Sequence, residues 1–405
     1  MNERGAIETK APGKLYIAGE YAVVEPGEPS VIVAVDRVLT VKLTPSDDLG
    51  RVFSSEYGLR PVVWTRDDDD SIQLEHRPFD YVMAAIAVTE RLRGERGYEP
   101  RYFDLHIESE LDDSSGRKFG LGSSAAVVVA TIAAINDFYA LGLTPTERFK
   151  LALLSTARVA PRSSGGDLAA STFGGWIRYT SPDRDALLED LECNETVSET
   201  LGSAGWDDFS VTQLPEPETL ELLVGWTGSP ASTERLVKGV EKRTPVDSTS
   251  HEAFLAESRG IVDALVSAMQ AQDASRTLEL IRAARTLLQG LGETTGIQIE
   301  TEKLHALCEI AESHGAAAKP SGAGGGDCGI VLAGPETDND AIFVDWQAAG
   351  ISRLGLGVYP SCGEADVCDS ETDGSEAGDS GAFGSDASDS GASDSDARES
   401  EGGEA

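Results

Sequence analysis

Cysteine and histidine are scarce in this chain, with five of each among 405 residues. The cysteines (Cys193, Cys308, Cys328, Cys362 and Cys368) are odd in number and include no C-x-x-C, which argues against a disulfide framework or a zinc ribbon. The histidines are scattered and form no H-E-x-x-H. Long apolar runs are missing too. The longest, Ala125 to Ile135, is far short of the roughly 20 residues a membrane-spanning helix needs. The N-terminal MNERGAIETK has no apolar signal core. A soluble cytoplasmic protein is expected. Positive charge is also in short supply: 33 Lys and Arg stand against 70 Asp and Glu, a formal net charge of −37. A general nucleic-acid binder needs a basic face to displace counterions, so that class is set aside.

What is present points to a globular body with an acidic tail. Hydrophobic residues make up 40% of the chain, enough for a sizeable core, and the length suits two domains. From Glu364 to Ala405, 14 acidic residues accompany a single basic one, Arg398. That segment carries −13 and leaves −24 on the residues before it. Its composition cannot bury enough apolar area to offset the entropy of ordering, so a disordered tail is expected, either solvating or partner-binding.

The body reads as mixed α and β. Leu15–Val24 and Ser30–Leu43 are strand-like around a Pro-Gly turn, and Phe103–Leu111 alternates as a half-buried strand. Ser124–Leu141 is apolar almost all round and predicts a buried helix, followed by another over Pro145–Ala160. Beyond about Leu214 the pattern changes. Leu220–Trp226 and Gly329–Leu332 read as strands, and Phe254–Met269, Leu278–Leu291 and Leu304–Ala311 as helices. Without a regular βα alternation, the fold class is α+β. The expected domains are residues 1–214 and 215–363, with the tail at 364–405.

Four small-residue segments carry the chemistry. Lys118-Phe-Gly-Leu-Gly-Ser-Ser-Ala-Ala126 opens the buried helix. A helix start exposes unpaired N–H groups and a positive dipole end, and glycines let an anion approach them. The same pattern also makes a plain packing turn, and alone it does not decide. It matches G-x-G-x-x-A, but a polar loop separates it from the preceding strand, unlike a dinucleotide turn. Ala11-Pro-Gly-Lys-Leu-Tyr-Ile-Ala-Gly-Glu-Tyr21 puts Lys14 at the entry to an apolar strand. Lys319-Pro-Ser-Gly-Ala-Gly-Gly-Gly-Asp-Cys328 is a loop whose amides are free to face a ligand or a hinge that merely bends. Arg162-Ser-Ser-Gly-Gly-Asp-Leu-Ala169 sets Asp167 among small residues, where a helix cap is the plainer reading.

In this order the four segments resemble the GHMP kinase superfamily, over essentially all of residues 8–360. The first motif, Gly116-Arg-Lys-Phe119 before the phosphate loop, S-S-G-G-D-L-A around Asp167, Leu223–Thr233 and Gly315–Cys328 resemble its bacterial phosphomevalonate kinase branch. The resemblance implies an N-terminal domain like the second domain of ribosomal protein S5, a ferredoxin-like C-terminal domain, and an active site between them. It implies ATP and phosphomevalonate as substrates, with Lys14 and Asp167 as the catalytic pair. ATP is expected at Lys118, Gly120, Leu121, Gly122, Ser123, Ser124 and Ala125. Phosphomevalonate is expected at Lys14, Ser164, Ser232, Ser321, Gly322 and Ala323. Mevalonate kinases carry a magnesium-binding glutamate where this chain has Thr156, so Mg²⁺ is expected on Ser124, the nucleotide phosphates and water. Another kinase of the superfamily and a catalytically silent member stay open as alternatives, as does a homodimer.

Overall fold

The computed structural model describes residues 6–58, 60–68, 70–74, 80–113, 116–157, 159–229, 236–240, 248–362 and 366–367. The first strand, Ile7–Ala18 (β1), starts with alternating burial and is buried throughout from Ala11 onward. It pairs antiparallel with Pro29–Ser46 (β2), and the register shifts between Pro12 and Gly13, one residue before Lys14. A bulge of this kind re-aims the side chains that follow it.

The sequence reads as strand through Val24, but β1 ends at Ala18 and Ala22–Val24 forms a 3₁₀ turn. Gly19 adopts φ +93°, and a Cβ there would sit 2.5 Å from the Pro29 carbonyl oxygen. Only glycine allows the chain to leave β1 so close to its partner strand.

The antiparallel partner on the other flank of β2 changes along its length, from Pro29–Val33 to Leu39–Ser46. Trp176–Thr180 (β7) pairs with its start and Tyr102–Ser109 (β6) with its end. Gly50–Phe53 (β3) runs parallel to β6, and Val62–Arg66 (β4) and Ile72–Leu74 (β5) complete that side. Ser210–Leu214 (β8) extends the other side, and Asp366–Val367 (β13) pairs with β8. Helices Tyr81–Glu95 (α1), Ser123–Tyr139 (α2), Pro145–Ala157 (α3) and Gly166–Phe173 (α4) form the second layer, with α2 and α4 directly on β1 and β2. Because α2 also touches α1, α3 and α4, nearly every one of its side chains is enclosed. That is why its sequence is apolar on all faces. Arg184–Cys193 (α5) and Val197–Leu201 (α6) lie against α3.

A second sheet of four antiparallel strands follows. Its order is Ala317–Pro320 (β10), Cys328–Ala333 (β11), Glu221–Trp226 (β9) and Ser352–Leu354 (β12). A short helix at 236–240 (α7) precedes Ser248–Gln270 (α8), Ala274–Thr295 (α9), Glu302–Ser313 (α10) and Asn339–Ala348 (α11). Helices α9 and α10 pack on β10, and α8 packs on both α9 and β2. One hydrophobic cluster runs from Leu15 and Ile32 through Val262 and Leu265 to Ile330. The two sheets therefore share a core within a single unit spanning Met1–Cys368. No helix among the described residues is long and apolar enough to cross a membrane.

Candidate active site

A cavity of about 270 Å³ opens where β1, the start of α2, the start of α4 and the loop after β10 converge. Its walls include Lys14, Lys118, Gly120, Leu121, Gly122, Ser123, Ser124, Ala125, Ser164, Asp167, Gly322 and Ala323. Segments more than 300 residues apart in sequence thus meet at one point.

The phosphate-loop candidate is tied to β1 by its backbone: the Lys14 amide donates to the Leu121 carbonyl at 2.9 Å. Gly122 caps α2 in the left-handed region and, being glycine, offers this helix start no side-chain cap. The first-turn amides are left for whatever enters the cavity at Ser123 and Ser124, where the helix dipole is positive. A smaller cavity of about 80 Å³ shares Tyr81, Ser123 and Ser124 with the main one and continues past Ser55, Tyr57, Asp80 and Val127.

Helix α4 begins the same way, with Gly165 as its cap in the left-handed region. Asp167 is therefore not the cap. It lies in the first turn with its carboxylate 3.6 Å from the Lys14 Nζ. Lys14 is 8% exposed, whereas Asp167 is 35% exposed and faces the cavity. The Lys14 ammonium also donates to the Gly120 carbonyl at 3.3 Å and lies 5.4 Å from the centre of the Tyr16 ring. It is held from three sides.

Ser164 is similarly fixed. Its Oγ accepts from the Gly166 amide at 3.2 Å and lies 2.8 Å from the Tyr16 hydroxyl, while its carbonyl accepts from the Tyr179 hydroxyl at 2.7 Å. Burial, with the nearby Asp167 charge second, pushes the Tyr16 phenol well above its ordinary value, so it stays a neutral hydrogen-bonding group. Arg184 pins the same loop from below, donating to the carbonyls of Ser163 and, at 2.6 Å, of Val24.

Not every expected residue faces the cavity. Ser321 is buried, and its hydroxyl donates to the Tyr16 carbonyl at 3.0 Å. Ser232 lies outside the described residues. Lys118 is half-exposed and pairs with Glu56 at 3.0 Å. Thr156 lines the cavity, and its Oγ1 donates to the Leu153 carbonyl at 3.0 Å.

Several wall residues had no role from sequence: Tyr16, Glu20, Tyr21 and Asp327. Glu20 and Tyr21 sit within the first motif, one turn beyond the strand, and nothing in residue type separates them from surface positions. Three cations (Lys14, Lys118, Arg162) and three carboxylates (Glu20, Asp167, Asp327) line the cavity. The site is thus close to neutral in formal charge within a chain of −37. Backbone amides must supply the excess positive potential that a polyanion requires.

Family models for the GHMP kinases match at both ends of this arrangement: the N-terminal domain at residues 80–175 and the C-terminal domain at 264–352. The chain belongs to the GHMP kinase family and is an ATP-dependent kinase. It is 47% identical to the phosphomevalonate kinase of Streptomyces sp. (strain CL190) over 364 residues, 86% of this chain and 96% of that one. It is 28% identical to the mevalonate kinase of Thermococcus sibiricus, over 87% of this chain and 98% of that one. Among solved structures, Streptococcus pneumoniae phosphomevalonate kinase in complex with phosphomevalonate and AMPPNP superposes with a TM-score of 0.76 at 30% identity. That match covers 87% of this chain and 99% of the other.

Proposed function

We propose that this chain transfers the γ-phosphoryl group of ATP to 5-phosphomevalonate, giving 5-diphosphomevalonate and ADP in the mevalonate route of isoprenoid biosynthesis. The observation that carries the reading is the 47% identity to a phosphomevalonate kinase across nearly its whole length. The placement of the Lys14–Asp167 pair between two glycine-rich loops supports it.

The ATP phosphates lie at the start of α2, on the amides of Ser123 and Ser124, and the nucleoside runs into the smaller cavity beside Tyr81. Phosphomevalonate occupies the side formed by Lys14, Ser164, Gly322 and Ala323. The donor set fits a phosphate-borne magnesium ion: the Ser124 hydroxyl is on the wall, and no cluster of three His, Cys, Asp or Glu stands ready to cage a metal among the described residues. Held there by the Ser124 hydroxyl and the nucleotide phosphates, Mg²⁺ would supply charge neutralisation for the transferred group.

The acceptor is itself a phosphate with a second pKa of about 6, ionised at neutral pH, so proton removal is barely needed. Asp167 holds the Lys14 ammonium in place, and Lys14 places a point charge between donor and acceptor oxygens. An ADP-release assay across mevalonate, phosphomevalonate, homoserine and galactose tests the assignment. Turnover confined to phosphomevalonate is expected, and preferential use of mevalonate would replace this reading with a mevalonate kinase.

A further inference from the structure

Two consecutive residues beyond β1, Glu20 and Tyr21, reach across to the end of β10 and to the loop that follows it. The Glu20 carboxylate pairs with the Lys319 ammonium, and both side chains are almost wholly buried, at 3% and 0% exposure. Lys319 also donates to the Pro320 carbonyl at 2.7 Å. The Tyr21 hydroxyl donates to the Ala323 carbonyl at 2.6 Å. Between these two links the Ser321 hydroxyl donates to the Tyr16 carbonyl. The loop is therefore sewn to the end of β1 at three successive points, from partners about 300 residues away in sequence.

The backbone at Tyr21 gives an independent sign. Tyr21 has φ +64° and ψ −46°, a region that a residue with a Cβ rarely adopts. Strain of this kind persists where surrounding structure enforces it, and it marks positions whose side-chain direction matters. Here the strained backbone directs a buried phenol at one carbonyl. With its carbonyl engaged by Tyr21, Ala323 keeps its position on the cavity wall, between Gly322 at φ +70° and Gly324 at φ +66°. A residue without positive φ between two left-handed glycines is the alternation that can turn neighbouring amides toward an anion, while the Gly325 amide is held by the Ile299 carbonyl at 2.7 Å.

We infer that Glu20, Tyr21 and Lys319 are positioning residues, which set the loop of residues 321–326 at the height needed to hold the acceptor phosphate beside Lys14. They act through the loop and take no part in the phosphoryl transfer. The inference rests on the assignment of that loop to the acceptor.

The test uses the full chain with Tyr21→Phe and the double variant Glu20→Gln with Lys319→Met. The double change removes both buried charges together, so no charge is left without its partner. For both variants the expected result is a five- to twentyfold rise in KM for phosphomevalonate, KM for ATP within twofold of the parent, and a smaller loss in kcat. Amide hydrogen exchange of residues 321–326 without ligand should quicken in Tyr21→Phe while that of α2 stays unchanged. Unaltered acceptor KM and unaltered loop exchange in Tyr21→Phe would overturn the inference. An equal rise in both KM values, with faster exchange throughout, would show a merely structural role and overturn it too. Parent enzyme that fails to turn over phosphomevalonate would instead remove the functional reading, and the exchange data would still judge the clamp.

Discussion

Lys14 shows how a charged side chain becomes useful by being restricted. Its ammonium is confined by the Asp167 carboxylate, the Gly120 carbonyl and the Tyr16 ring, so in the proposed transfer little reorganisation would remain as the two phosphates approach it. Lys14→Ala is expected to lower kcat by roughly 10²–10³-fold, the usual scale for a lost electrostatic donor in a water-poor site. Lys14→Arg should recover only part of this, because a planar fork does not replace a compact charge. Asp167→Asn should lower kcat less. Its remaining rate should rise with pH through about 6, following the acceptor phosphate and not a protein carboxylate. A pH–rate series on the parent and the three variants checks all of this. Complete loss in Asp167→Asn with most activity kept in Lys14→Ala would reverse the two roles and favour general-base chemistry.

At the scale of elements, α2 and α4 both begin at the cavity with glycine at the cap position, although on α4 the Ser164 hydroxyl accepts from the Gly166 amide. Gly122 before α2 and Gly165 before α4 take the cap position in the left-handed region. Serine or aspartate in place of Gly122 would stabilise the isolated helix better, but the first-turn amides of α2 would then be occupied. Gly122 adds a steric reason: a Cβ there would approach Lys14 Cε to 3.2 Å and Asp167 Oδ2 to 3.3 Å. Gly122→Ala should therefore cost about 1–2 kcal/mol for the left-handed backbone and also push Lys14 and Asp167 apart. The expected outcome is a modest fall in Tm with a disproportionate loss of kcat and a raised KM for ATP. Thermal melts and steady-state kinetics on the same preparation check it. A Tm loss without kinetic change would mean that the loop adapts and that the glycine serves the fold alone.

For the whole molecule, acidic residues are densest at the C-terminal end of a chain whose body is itself acidic. Residues 369–405 hold 12 acidic residues and one basic one, whereas the core belongs to the segment before them. Asp366–Val367 lies inside the tail expected from residue 364 onward, yet it pairs with β8, so the expectation of disorder does not hold for these two residues. Truncation after Cys368 is expected to leave Tm within a few degrees and kcat unchanged, because the removed composition cannot support a packed contact. A larger loss of Tm would show that the acidic segment packs on the body. Truncation after Ser361, which also removes β13, gives the comparison that isolates the contribution of that strand.

Local pattern alone determined a good deal. The all-round apolar α2, the amphipathic repeats of α8, α9 and α10, and the strands β2, β6, β9 and β11 are written in side-chain periodicity, since each buries a face set by its own spacing. The four small-residue motifs were legible for the same reason: glycine and a helix start are local facts. Tertiary structure decided what those facts are for. The turn at Ala22–Val24 looked like strand because its residues are apolar, and only the closeness of Pro29 to Gly19 breaks the extension. Asp167 resembled a cap until the fold set it against Lys14, and only the fold shows that the Ser321 hydroxyl is turned to the Tyr16 carbonyl. Glu20 and Lys319 carry no local signal at all. A buried ion pair between residues 299 positions apart exists only where two sheets are brought together, and periodicity along one segment holds no information about a partner on another.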